Sequence, residues 1–137
     1  MLNGNGDFAI IGAVKTIAST IGTHAAGIYL RNGTSVYTAL LQGFTALRCE
    51  LRVAVSTTSV PTAIAQITIN APIQPTWFRI QRVGTTLNFH TSMDGQTWVL
   101  FGSSAVGTKS FTHCGFFGEQ RASSGWSVAQ CDSFTIE

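Results

Sequence analysis

Between Thr76 and Gly102 the chain reads TWFRIQRVGTTLNFHTSMDGQTWVLFG, and this stretch restricts the fold more than any other. Phe78 and Ile80 share one phase of an alternation, while Trp77, Arg79 and Gln81 share the other. A period of two is the signature of a half-buried strand. Gly84-Thr85-Thr86 interrupts it, and a second alternation places Leu87 and Phe89 opposite Asn88 and His90. Asp94-Gly95 follows, a dipeptide suited to the positive φ angles of a type I′ hairpin, and a third strand is expected from Gln96 to Phe101. Each large apolar side chain on the inner phase gains roughly 1.5–3 kcal/mol on burial. The apolar face must therefore be covered, and a second sheet is the natural cover.

The same reading extends along the chain. Strands are expected over Phe8–Ile17, Ala25–Arg31, Ser35–Gln42, Leu47–Val53, Ala63–Asn70, Phe111–Gly118 and Trp126–Ile136, with Asn32-Gly33 as a second hairpin turn. Leu47, Cys49, Leu51 and Val53 take the inner phase of their strand; Arg48, Glu50 and Arg52 take the outer. Trp98 and Trp126 are read as core. About nine or ten short strands with no helical period and no internal repeat give an all-β, two-sheet antiparallel sandwich. At 137 residues the chain is a single domain over 1–137, large enough to bury a core without staples.

The motif W-F-R-I-x-R-x-G-x-x-L-x-F-x-x-S-x-D-G-x-x-W, spanning Trp77 to Trp98, resembles the signature hairpins of the concanavalin A-like (laminin-G-like) jelly-roll superfamily. Gly27-Ile28-Tyr29-Leu30-Arg31 is similar to its "GLxLR" strand. Cys114-Gly115-Phe116-Phe117-Gly118 and Cys131-Asp132-Ser133-Phe134 are similar to its closing "VGLFA" and "FDNF" segments. The resemblance implies two packed antiparallel sheets and, in many members, carbohydrate binding. It fails before Asp7, where the family's opening strands are missing, so the strand at Phe8 is expected to be an edge that a neighbour completes.

Catalysis is not expected. Retaining glycosidases need two carboxylates about 5–5.5 Å apart, and the six acids here, Asp7, Glu50, Asp94, Glu119, Asp132 and Glu137, are never two or four apart. The superfamily's E-x-D-x-x-E strand is absent. Asp94 is taken up by its turn, and the resemblance assigns Asp132 to a backbone or hydroxyl bond near the sandwich edge. His24, His90 and His113 are scattered, so no metal site or cofactor is expected; one edge calcium on Asp132 or Asp94 is the arrangement the acids leave open. Cys49 reads as a small core residue, and a Cys114–Cys131 disulfide stays open.

What remains is a surface. Charged residues make up only 10% of the chain and the net charge is +2, too few and too dispersed for a nucleic-acid face. No apolar run reaches the ~18–20 residues of a membrane helix, so no membrane insertion is expected. MLNGNGDFAII lacks the basic start of a signal peptide. Tyr29, Arg48, Glu50, Trp77, Arg79, Gln81 and His90, with Arg31, Arg52 and Asn88, would share one outward face if the central strands are neighbours. Aromatic rings flanked by guanidinium and amide donors suit glycan recognition. The plainer reading pairs Arg79 with Glu50 across strands and covers Trp77 with a loop or a neighbouring subunit. The expected protein is a non-catalytic, lectin-like surface or adhesion module in a virion (a phage capsid decoration or tail protein) or otherwise extracellular, with glycans and neighbouring subunits as partners. A purely structural assembly protein and an accessory module of a secreted glycosidase are the alternatives.

Overall fold

The computed structural model describes residues 6–17, 24–33, 35–43, 47–54, 62–69, 76–120 and 128–137; over β4 and most of β5 the description is of the backbone. Ten strands run β1 (Phe8–Ile17), β2 (His24–Asn32), β3 (Ser35–Gly43), β4 (Leu47–Ala54), β5 (Thr62–Ile69), β6 (Thr76–Val83), β7 (Thr86–Ser92), β8 (Val99–Ala105), β9 (His113–Gln120) and β10 (Val128–Ile136). They form two five-stranded sheets, ordered β10-β1-β6-β7-β8 and β5-β4-β3-β2-β9. Every strand pairing is antiparallel. Among the described residues there is no helix, and so none long and apolar enough to cross a membrane.

The inner faces meet as the alternation requires. Ile10, Val14, Phe78, Ile80, Leu87 and Phe89 of the first sheet pack with Ala26, Ile28, Leu30, Tyr37, Ala39 and Leu41 of the second. Along β6 burial alternates residue by residue, with Phe78 and Ile80 fully enclosed. Phe101 sits edge-on to both Phe78 and Phe89, at ring separations of 6.4 and 6.5 Å, the favoured arrangement for aromatic quadrupoles.

Several expectations change. The strand at Phe8 is not an edge: β1 lies between β10 and β6, and Ala9 and Glu137 exchange two backbone hydrogen bonds. The chain's own last strand thus fills the place expected of a neighbour. Asn32 is the last paired residue of β2, opposite Ser35, and so belongs to the strand rather than to the turn. Cys114 and Cys131 are free thiols, Cys114 half-buried and Cys131 exposed. Cys49 and Trp126 have side chains outside the described residues.

One inner-face residue is charged. Arg82 has the same strand parity as Phe78 and Ile80 and is only 2% exposed. Its guanidinium donates to the carbonyls of Gly84, Gly107 and Lys109 and lies 5.9 Å from the Phe111 ring centroid. Phe111 is in turn edge-on to Phe8 and Tyr37. A loop that runs from Val106 to Thr112 is thereby drawn over one end of the sandwich, with Val106 and Gly107 N–H donating to Thr85 and Thr112 N–H to Arg31. Arg82→Met keeps the aliphatic stem but removes all three charge-assisted hydrogen bonds that hold the loop. Such a change is expected to cost about 2–4 kcal/mol, read from the urea unfolding midpoint.

Candidate functional site

The two-sheet topology divides the expected surface. Tyr29 on β2 and Arg48 and Glu50 on β4 belong to one sheet; Trp77, Arg79 and Gln81 on β6 and His90 on β7 belong to the other. Arg79 and Glu50 therefore cannot be a cross-strand pair. The side chains of Arg48, Glu50 and Arg52 lie outside the described residues. On that sheet Arg31 is turned back on itself, its Nε donating to the Gly33 carbonyl at 3.2 Å. Tyr29 is half-buried, with its ring against Gly115.

The other sheet keeps its group together. On the outer face of β6 and β7, Arg79 stands directly opposite His90, Gln81 opposite Asn88, and Trp77 opposite Ser92. On the other flank of β6, Ala9, Ile11 and Ala13 of β1 face Gln81, Arg79 and Trp77. Two of these three β1 side chains, Ala9 and Ala13, are small. Beside Ala9 lies a shallow hollow of about 270 Å³, with Asp7, Ala9, Arg79, Gln81, Val83 and Glu137 among its walls. Asp7 is held in place by the turn between β6 and β7, its Oδ1 accepting from Gly84 N–H at 2.7 Å.

Two polar atoms on this face are buried without a hydrogen-bond partner: Nε of Arg79 and Nδ1 of His90. Buried polar groups are nearly always satisfied, so two adjacent exceptions on one outward face make this the candidate site. Burial pushes the His90 pKa down, the neighbouring Arg79 charge pushes it further, and a backbone interaction with Arg79 opposes them weakly. The imidazole is thus kept neutral. A neutral ring offers one donor and one acceptor, beside a guanidinium that only donates.

Trp77 takes a different role. An ideal Cβ on Gly95 would stand 3.0 Å from the Trp77 ring, so the loop after β7 lies directly on the indole. That loop is not the two-residue hairpin expected. β7 ends at Ser92 and β8 begins at Val99, and only Gly95 (φ +73°) has a positive φ there. Asp94 organises it: Oδ1 accepts from Ser92 Oγ and from the N–H groups of Gln96 and Thr97, and Oδ2 from Thr97 Oγ. These donors, the Thr97 and Gln96 amides foremost, hold the Asp94 carboxyl well below the usual carboxylate range. The acid is occupied, as its place in the turn implied. Asp132, by contrast, accepts from the Gln130 side-chain amide at 2.7 Å rather than from backbone or a hydroxyl.

A second hollow of about 280 Å³ opens between β5 and this loop, walled by Ile67, Met93 and Val99 with Thr91, Ser92, Asp94 and Thr97. Its apolar wall makes it a poor match for a polar ligand. Among the described residues no group of three or more His, Cys, Asp or Glu could hold a metal ion.

No family model matches the chain, and no curated protein matches its sequence. Its fold is nonetheless shared. A functionally unknown protein from Saccharomyces cerevisiae superposes with a TM-score of 0.78 at 14% identity, over 98% of this chain and 70% of that one. The GH43 protein BlXynB from Bacillus licheniformis gives 0.74 at 12% identity; the match covers 95% of this chain but only 27% of the GH43 protein. The CBM2 module of the Lactobacillus casei BL23 phage J-1 evolved Dit gives 0.62 at 11% identity, over 96% of this chain and 62% of that one. At these identities the likeness is one of fold.

Two outcomes follow for the loop. Gly95→Ala forces an L side chain to positive φ and into the Trp77 ring, and should lower stability by at least about 1–2 kcal/mol in thermal melts. Because the folded Asp94 pKa is depressed, the carboxylate's contribution is complete above its unfolded value near ~4 and is lost as pH falls below it. Asp94→Asn should flatten that acid limb of a stability–pH profile while leaving the neutral plateau lower.

Proposed function

We propose that this chain is a non-catalytic, concanavalin A-like jelly-roll module that binds glycans through the outer face of β6 and β7 and is carried on a virus particle, as a phage capsid decoration or tail protein. The observation that carries the reading is the adjacent pair of unsatisfied buried nitrogens, Arg79 Nε and His90 Nδ1. Leaving a buried donor or acceptor unmade costs about 1–3 kcal/mol, and a sugar that drew Arg79 and His90 outward into hydrogen bonds would recover it. Gln81 and Asn88 add amides that donate and accept, and the carboxylates of Asp7 and Glu137 add acceptors at the hollow's end. A mixed donor and acceptor set of this kind suits a polyhydroxylated, uncharged ligand better than an anion, which the two carboxylates would repel. The fold shared with a phage Dit CBM2 module and with part of a GH43 protein supports the same reading.

A purely structural role in an assembly is the rival, and the Gly95 contact on Trp77 favours it for that residue: its ring is committed to a loop. The two readings separate on a glycan array. The parent protein is expected to be retained on a subset of neutral glycans, Arg79→Ala and His90→Ala to lose that retention at least tenfold, and all three to share one circular dichroism spectrum. On acidification, binding should weaken at a lower pH than an ordinary histidine would set, since burial and the Arg79 charge hold the imidazole's pKa down. A parent that binds no glycan, or variants that bind as the parent does, would sink the proposal.

A further inference from the structure

A β-sandwich has four edge strands, here β10, β8, β5 and β9. Three of them are interrupted in the same way. In β10 the pairing with β1 shifts around Asp132, which has no partner of its own. β8 shifts around Phe101 in its pairing with β7, and β5 around residue 64 in its pairing with β4. In each case the extra residue is on the edge strand. Bulges of this kind twist an edge out of line and stop it from templating another strand. β9 alone is straight: His113 to Gln120 pair without a shift against Arg31 to His24. Its centre, Cys114-Gly115-Phe116-Phe117-Gly118, carries no charge.

The sequence of this edge is complementary to itself. We infer that β9 is a pairing surface for a second copy of this chain, the two β9 strands lying antiparallel about a two-fold axis through Phe116 and joining two five-stranded sheets into one of ten. A two-fold axis perpendicular to a sheet keeps each residue on its own face, so opposed positions must have the same parity. Centring on Phe116 sets His113 opposite Glu119 of the second copy, Cys114 opposite Gly118, and Gly115 opposite Phe117. An imidazole faces a carboxylate at each end of the junction. On the outer face each Phe117 ring falls beside a glycine over which Tyr29 already leans, 3.2 Å from the Gly115 Cβ position. Cross-strand aromatic and opposite-charge pairs of this type are the units that stabilise sheet pairing. Moving the axis by one residue either way breaks the His113–Glu119 match.

Gly118 supplies the test. It is exposed and nothing lies within 4 Å of an ideal Cβ there, so a side chain is accepted without disturbing the fold. In sedimentation analysis the parent protein is expected at twice the chain mass and Gly118→Lys, which puts a charge at the junction, at the chain mass. A second variant fixes the register. In Gly118→Cys the new thiol should face Cys114 of the other copy at about 4.5–5.5 Å between Cα atoms, within disulfide reach. Within one strand the same two positions are about 13 Å apart and cannot bond. Mild oxidation should give a covalent dimer on a non-reducing gel that the parent, with its other cysteines, does not form. A parent that sediments as a monomer, a Gly118→Lys dimer, or a Gly118→Cys protein that does not cross-link would each overturn the inference.

Discussion

The structure depends on two largely apolar pleated faces approaching closely enough to interlock. How closely is visible at Gly12, in the middle of β1. A Cβ there would stand 2.5 Å from Ile28 of the opposite sheet, with Phe116 and Phe134 also within 3.5 Å. The missing side chain is the space into which Ile28 is driven. Phe116 and Phe134, from the edge strands of the two sheets, meet edge-on at 5.4 Å beside it. The sheets are thus keyed together by a hole in one and a branched side chain in the other, which fixes their relative position more tightly than burial of apolar area alone.

Arg79 and Arg82 show how far strand parity governs chemistry. They are three residues apart on β6 and so point to opposite faces. Arg82 turns inward, where a guanidinium can persist only if its donors are satisfied, and the loop carbonyls of Gly107 and Lys109 and the turn carbonyl of Gly84 satisfy them. The charge is thereby used to shut one end of the sandwich. Arg79 turns outward beside His90 and keeps an unmatched Nε. One arginine is consumed by the fold and the other is not.

What the sequence made legible is what period two can encode. The alternation through Phe78, Ile80, Leu87 and Phe89 marked the inner face, and all four are fully buried. Parity also marked Arg79, Gln81, Asn88 and His90 as outward neighbours. It could not say which strands share a sheet, because that is decided by chain crossovers between distant segments. Tyr29, Arg48 and Glu50 were therefore grouped with a face they do not share. The Asp94-Gly95 turn failed for a local reason: Ser92, Thr97 and the Asp94 carboxylate offer a side-chain hydrogen-bond network that favours a longer loop over the two-residue hairpin. Arg82 had a signal, an arginine on an apolar phase, but its partners come from residues 25 and 27 positions later.

Binding face and pairing edge belong to different sheets, and this bears on how they would act together. A two-fold axis perpendicular to the joined sheet leaves both copies of the β6–β7 outer face on the same side of the dimer. Two shallow sites with a handful of polar contacts are individually weak, since immobilising a sugar costs much of what each hydrogen bond returns. Presented side by side, as the two proposals together imply, they would engage a repeating polysaccharide or a crowded cell surface as a pair, the second contact forming at an effective concentration set by a rigid sheet rather than by a flexible linker. On these two proposals the straight β9 edge and the unsatisfied nitrogens at Arg79 and His90 would act together, the edge supplying the multiplicity that a shallow site needs.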